Sequence, residues 1–258
     1  MGVTRLLALG YHDVVPAGTE EESGFRGADA ATYKVPLEHF QQHLDALGKC
    51  GAGRGFNLLL TFDDGGSGAC HAAAALEQAG CRGYFFITTG LIGTPGFLTA
   101  AQIAQLHARG HMIGSHGVTH RGKMSRMPEA ALHSEWSESV EMLSSIIGAP
   151  VVTASVPSGF YATRVARAAA AAGIRRLFTQ QPTTRPEQVF GCEVIGRFTI
   201  RTWTSAERVR ALASGCLRPR LEEALFWRVR QFAKTAGGAA YGDLRRAFFE
   251  RHSSARLT

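Results

Sequence analysis

The stretch Leu58–Cys70, LLLTFDDGGSGAC, runs an apolar segment into two adjacent aspartates, Asp63 and Asp64, and then into glycines. Neighbouring carboxylates repel, and withdrawing them from water costs free energy unless a cation or hydrogen-bond donors compensate. At the end of a buried strand a metal ion is the simplest compensator. The segment Ile113–His120, IGSHGVTH, supplies His116 and His120, four residues apart. On one helical turn or in a compact loop, both imidazoles face a common point. With Asp64 they make a His–His–Asp set that leaves coordination positions open for water and substrate, as a catalytic zinc site requires and a structural one does not.

These residues have to be delivered by strands. Leu6–Tyr11, Asn57–Phe62, Gly83–Thr88, His111–His116 and Val151–Val156 read as strands, with shorter ones at Arg175–Thr179 and Cys192–Phe198. Between them, Leu37–Leu47, Gly68–Gly80, Thr99–Gly110, Pro128–Gly148 and Ala162–Gly173 have helical spacing, with Thr99 as an N-cap and Gly110 as a stop. The repeated β–α order predicts an α/β fold with a parallel sheet, open or rolled into a barrel, and chemistry at the C-terminal strand ends. Asp63–Asp64, His116–His120 and the loop Pro157–Tyr161 (PSGFY) all fall at such ends.

Composition narrows the class. With 45% hydrophobic and 19% charged residues in 258, the chain reads as globular, not disordered. No segment approaches the ~20 apolar residues of a membrane-spanning helix, and the N-terminus lacks the long apolar run of a signal peptide. A cytoplasmic location is the default expectation. Five scattered cysteines without a CxxC pair predict reduced, structural thiols. Residues 1–195 carry 15 Lys and Arg against 16 Asp and Glu, whereas residues 196–258 carry 13 against 5. The basic excess therefore belongs to the C-terminal part, which reads as three arginine-rich helices. This separates a main domain, 1–200, from a basic helical extension, 201–258. Such helices can cap the main domain or lie on an anionic membrane surface as a peripheral contact. No nucleic-acid motif accompanies them. Residues 16–30 form a polar loop, expected to be mobile.

TFDDG (Thr61–Gly65) followed by SHGVTH (Ser115–His120) resembles the polysaccharide deacetylases, or NodB-like carbohydrate esterases, whose first motif is TFDDG and whose second is H-[ST]-x-x-H. Gly117 takes the small-residue place. GYHDVV (Gly10–Val15) is similar to the opening of their first strand. The resemblance covers about residues 5–200. It implies a distorted (β/α) barrel with fewer than eight strands, Asp63 as general base, and Asp64, His116 and His120 as ligands to one divalent metal. Zinc is the first choice, with cobalt, manganese or nickel as alternatives. It also implies an acetylated glycan or sugar as substrate.

The later motifs depart from the pattern. The family's R-x-P-Y-G stretch corresponds to Ser155–Gly159: Pro157 and Gly159 match, Ser155 replaces the arginine and Ser158 the tyrosine. A backbone N–H near Ser158 can still serve an oxyanion, with Gly159, Phe160 and Tyr161 beside it. The arginine orients the base, so Asp63 has to be held by something else. The aspartate that pairs with that arginine is not visible. The late leucine-x-histidine step that supplies the general acid is missing, and no histidine lies between His133 and His252. His12, at the end of the first strand with Asp13 next to it, is the candidate proton donor. Phe85, Phe86, Phe97, Phe160 and Tyr161 are candidates for a sugar-stacking wall. The function expected is metal-dependent removal of an acetyl group, foremost N-acetyl of an amino sugar. The alternatives are O-acetyl or N-formyl hydrolysis on the same scaffold, or an inactive metal- or glycan-binding relative. Retention of Asp63 favours turnover; loss of the arginine and the late histidine opposes it.

Overall fold

The structure, a computed structural model, describes residues 6–48 and 57–236. From the N-terminus the elements are β1 (Leu6–Tyr11), β2 (Asp13–Val15), α1 (Ala28–Ala31), β3 (Lys34–Pro36), α2 (Leu37–Leu47), β4 (Asn57–Phe62), α3 (Ala69–Gln78) and β5 (Gly83–Ile87). There follow α4 (Ala100–Ala108), β6 (Met112–Ser115), α5 (Glu129–Ile147), β7 (Thr153–Ser155), α6 (Thr163–Ala171) and β8 (Arg176–Phe178). The described residues end with β9 (Glu187–Val189), β10 (Cys192–Ile195), β11 (Arg197–Thr199), α7 (Ala206–Ala213) and α8 (Leu217–Ala236).

Six strands, β1, β4, β5, β6, β7 and β8, lie side by side in that order and run parallel. The two ends of this run are bridged by one bent strand. Its first half, β10, pairs with β8, and its second half, β11, pairs with β1, both parallel. The bend is Gly196, where a Cβ would lie 2.2 Å from the carbonyl oxygen of Gln181. The expected strand Cys192–Phe198 is therefore split at the one residue small enough for the corner. The result is a distorted barrel bridged at Gly196, not closed by an unbroken ladder. β9 adds antiparallel to the outside of β10, and β2 and β3 form a separate parallel pair.

Strand alternation sorts the core into two faces. Leu7, Leu9, Leu60, Phe62, Phe85 and Ile87 face outward against α2, α3 and α4. Leu6, Ala8, Leu59, Tyr84, Phe86, Phe178 and Ile195 fill the interior. Burial on both faces explains why these strands read as continuous apolar runs. A further cluster around Trp136, Val156, Val165 and Leu177 seals α5 and α6 to β7 and β8. Along the inward register the interior turns polar at the C-terminal end, where Thr61, Asp63 and Arg197 follow the apolar layers.

Two expectations change. The polar loop at residues 16–30 is pinned. Ser23 Oγ donates to Asp13 and accepts from the Gly68 N–H at 2.7 Å, Gly24 N–H donates to the Gly96 carbonyl at 2.8 Å, and Lys34 Nζ donates to the Glu20 carbonyl. Cys81 is disulfide-bonded, not a reduced thiol, while Cys70, Cys192 and Cys216 are free. Two of the three basic helices appear as α7 and α8. The third, over Tyr241–His252, lies outside the described residues.

Candidate active site

The β4–α3 and β6–α5 turns deliver the His–His–Asp set. Asp64 Oδ1 lies 3.4 Å from His116 Nε2 and 3.2 Å from His120 Nε2, and one donor atom from each of the three residues falls within 4.8 Å of the others. Asp64 and His120 both adopt left-handed backbone, φ 73° and 54°. That conformation costs a non-glycine residue on the order of 1–3 kcal/mol and persists where the surroundings impose it. Burial pushes the Asp64 carboxyl up, but the two imidazoles outweigh it and hold the carboxyl well below its usual range. Asp64 Oδ1 is nonetheless buried with no hydrogen bond of good geometry. A buried carboxylate oxygen facing two imidazole nitrogens without a proper donor is the arrangement a divalent cation resolves, and His2Asp is a borderline donor set suited to zinc and its neighbours. The residues fit the metal that the sequence implies.

The two histidines are held from behind. His116 Nδ1 donates to the Ser155 carbonyl at 3.1 Å. A carbonyl only accepts, so Nδ1 carries the proton and Nε2 is free to bind. The loop that carries His120 is organised by Glu135 of α5. Its carboxylate accepts from the N–H groups of Val118 (2.7 Å) and Thr119 (3.0 Å) and from the Thr119 hydroxyl. Gly117, at φ 78°, leaves this carboxylate room: a Cβ there would lie 2.9 Å from Glu135 Oε2. Ser115 Oγ donates to Ser139 of the same helix at 2.7 Å and accepts from the Gly117 N–H.

Asp63 is held quite differently. Arg197, fully buried at the start of β11, grips it with both guanidinium arms, Nη1 to Oδ1 at 2.7 Å and Nη2 to Oδ2 at 2.8 Å. The guanidinium is satisfied further by Thr61 Oγ1 at 3.1 Å and the Thr179 carbonyl at 3.2 Å. Ser155 Oγ donates to Asp63 Oδ1 at 2.9 Å while also meeting His116 Nδ1, so it links the two halves of the site. Burial raises the Asp63 carboxyl, but Arg197 more than offsets this and leaves it below its ordinary value. The arginine absent from the third motif thus has a counterpart on another strand. Sequence reading passed over Arg197. Its signal was a lone charge inside the apolar run VIGRFTI, which a buried strand tolerates only with a counterion.

His12 lies on the same rim. Its ring stacks on Tyr33 at 4.5 Å between centroids, and its buried Nδ1 has no hydrogen-bond partner. Burial holds the imidazole below its ordinary pKa against the pull of Asp64 and Asp63. Ser158 and Gly159 occupy consecutive left-handed positions, φ 57° and 69°, so PSGFY is not an ordinary strand-to-helix turn. Phe160 is half-buried, and Tyr161 packs against the α5–α6 cluster. Phe85 and Phe86 are core residues and face no solvent, which removes them from the stacking wall. Phe97 is joined by a residue the sequence did not single out. Phe25, from the pinned loop, meets it edge-on at 5.3 Å and lies 4.6 Å from the His120 ring.

The fold and this strand-end cluster define an α/β barrel of the NodB type. Residues 52–177 match the polysaccharide deacetylase family. Among solved structures, the chain is similar to the deacetylase PplD of Streptococcus pyogenes in complex with acetate (TM-score 0.63, 19% identity, 80% of this chain and 96% of that one). It is also similar to BC0361, a polysaccharide deacetylase from Bacillus cereus (TM-score 0.67, 18% identity, 81% and 69%). A third is IcaB from Ammonifex degensii (TM-score 0.66, 23% identity, 83% and 98%). A curated relative, a gellan lyase of a Bacillus species, is 37% identical over 101 residues, 39% of this chain. The match spans only 4% of that protein's length.

Proposed function

We propose that this protein is a metal-dependent deacetylase that hydrolyses an acetyl group, foremost the N-acetyl group of an amino sugar, from a glycan or glycan precursor. The observation that carries the reading is the juxtaposition of a convergent Asp64–His116–His120 donor set with a second carboxylate, Asp63, clamped by Arg197. A divalent cation on the donor set, zinc first, would supply polarisation of the acyl carbonyl and a water of lowered pKa. Asp63 is the proton acceptor for the attacking water. Arg197 and Ser155 fix its orientation and keep it ionised. A backbone N–H in the strained Ser158–Gly159 turn is the donor for the developing oxyanion. His12 is the candidate proton donor to the leaving amine, and the Phe25–Phe97 pair offers an apolar face for a sugar ring.

The test is metal content and acetate release by the full chain. Protein stripped and reloaded with zinc, cobalt, manganese or nickel is offered N-acetylated amino-sugar oligomers and O-acetylated glycans. The reading expects about one metal per chain, lost in His116→Ala/His120→Ala, and acetate from the N-acetylated substrate. Acetate from O-acetyl esters alone would move the assignment to an esterase. A protein that retains no metal and releases no acetate would sink it.

A further inference from the structure

α8 is amphipathic the wrong way round. Its inner face meets the body through polar groups: Glu223 accepts from Arg201 Nη1 at 3.3 Å and from Arg208 Nη2 at 3.1 Å, Arg201 lies 4.8 Å over the Phe226 ring, and Arg220 Nη2 donates to the Leu212 carbonyl at 2.7 Å. Its outer face carries Leu217, Leu221, Leu225 and Val229, at 73, 65, 64 and 59% exposure. Steps of four place them in one continuous row. A helix on a globular surface normally turns its apolar stripe to the core; this one turns it to solvent. Arg218 and Arg228 lie exposed on the same face, and Glu222, the one acid there, is already engaged by Arg208 and Arg218. No helix among the described residues is long and apolar enough to cross a membrane.

We infer that the outer face of α8 docks on an anionic lipid bilayer. The aliphatic row enters the boundary between headgroups and acyl chains, while Arg218 and Arg228 reach the lipid phosphates. Charge decides against a second copy of the chain as occupant. Antiparallel pairing of two such rows would set Arg218 of each helix towards Arg228 of the other, and an anionic surface neutralises both. A stable self-interface also buries about 800 Å² per partner, more than one row of four aliphatic side chains presents. The docked helix would bring the catalytic rim close to the lipid: Phe226, Trp227 and Arg230 on its inner side line a small crevice with Arg197, Thr199 and Arg201.

The experiment is flotation of the full chain with phosphatidylcholine vesicles, with and without phosphatidylglycerol, alongside light scattering to fix the oligomeric state. The wild type is expected to float with the anionic vesicles only, and less so as salt is raised. Arg218→Gln/Arg228→Gln should lower partitioning about thirtyfold, at ~1 kcal/mol per arginine. Leu221→Gln/Leu225→Gln should do so severalfold with an unchanged melting temperature, because the row is exposed. A wild type that stays soluble with both vesicle types, or variants that float equally well, would overturn the inference. A dimer that Leu221→Gln/Leu225→Gln converts to monomer would overturn it in favour of self-association. A non-floating wild type whose leucine variants melt earlier would do so in favour of cover by another part of the chain. None of these readouts depends on turnover, so the inference and the proposed activity fail separately.

Discussion

Asp63 and Asp64 are adjacent in the chain and both lowered in pKa, the first buried and the second partly so, yet they belong to two differently built halves of the site. Asp64 faces nitrogen atoms from a single five-residue segment, His116–His120, and its Oδ1 accepts no proper hydrogen bond. Asp63 sits in a closed ion pair whose partners come from two strands far apart in sequence, Arg197 on β11 and Ser155 on β7. The first half is arranged to receive a cation; the second carries its own in the guanidinium. One peptide bond therefore separates the carboxylate of the donor set from the one clamped by Arg197, because the backbone flips to φ 73° at Asp64 and sends the two side chains to different partners. Ser155 touches both halves, as donor to Asp63 and neighbour of His116.

The largest effects separate the two halves outright. Asp63→Asn should lower kcat about 10²–10⁴-fold, the range of a lost general base, while metal content stays near wild type. Asp64→Asn should lose both metal and turnover. If Asp63→Asn also empties the protein of metal, measured on the purified variant, the division between the halves is wrong.

Arg197→Met comes next. It leaves Asp63 buried without its counterion, which costs about 3–5 kcal/mol in denaturant unfolding near neutral pH. Arg197→Lys should not restore stability fully, since a single ammonium cannot reproduce the two-armed grip. The sign with pH follows from the lowered Asp63 carboxyl. Its stabilisation is present above the unfolded carboxyl pKa, about 4, and is lost as pH falls through the folded value. The gap between wild type and Arg197→Met should therefore shrink in acid. In the variant, the acid limb of kcat/KM should move to higher pH, because Asp63 then holds its proton more tightly. A pH-independent gap would mean that Arg197 serves packing alone.

A smaller effect is expected behind the metal half. Glu135 bonds to Val118 and Thr119 and fixes the loop that carries His120. Glu135→Gln keeps the volume and loses one of the charged acceptors, and metal affinity should fall about 10–100-fold, as for outer-shell partners generally. Competition with a chelating dye would measure it. Unchanged affinity would reduce Glu135 to a structural tie between α5 and the loop.

The same contrast explains what could be read from the sequence. The strands β1 and β4 and the helix α2 have the bounds that periodicity predicts, and Asp64, His116 and His120 lie in two compact motifs, so local pattern was enough for them. Arg197 was not legible because its meaning depends on closure. Only when Gly196 bends the last strand onto β1 does the guanidinium face Asp63. Ser155 looked like a loss when compared with the third motif, whereas in space it joins Asp63 to His116. Phe25 was hidden in a loop read as polar, because the hydrogen bonds that seat that loop join residues as far apart as Ser23 and Gly68. The aromatic wall was over-assigned for the opposite reason. Phe85 and Phe86 alternate between the outer and inner core, and a strand buried on both faces gives no sign of which side chains reach solvent.

The smallest expected effect concerns the seat of that loop. Asp13 is buried at the start of β2, with Oδ2 accepting from Ser23 Oγ and Oδ1 without a partner. Burial, reinforced by the charge of Asp64, pushes its carboxyl up to about 6. A folded pKa above the unfolded value means that the folded protein holds the proton more tightly. The corresponding stabilisation is complete below about pH 4 and lost as pH rises through about 6. Asp13→Asn imitates the protonated form and can still accept from Ser23. The variant should match the wild type at pH 4–5 and become the more stable of the two by pH 8. For a chain of this size the melting temperature should differ by about 2–4 °C for each kcal/mol gained. A melting difference that does not change between pH 5 and 8 would show that Asp13 is ionised throughout. The loop at residues 16–30, and with it Phe25 over His120, would then be held by a charge and not by a shared proton.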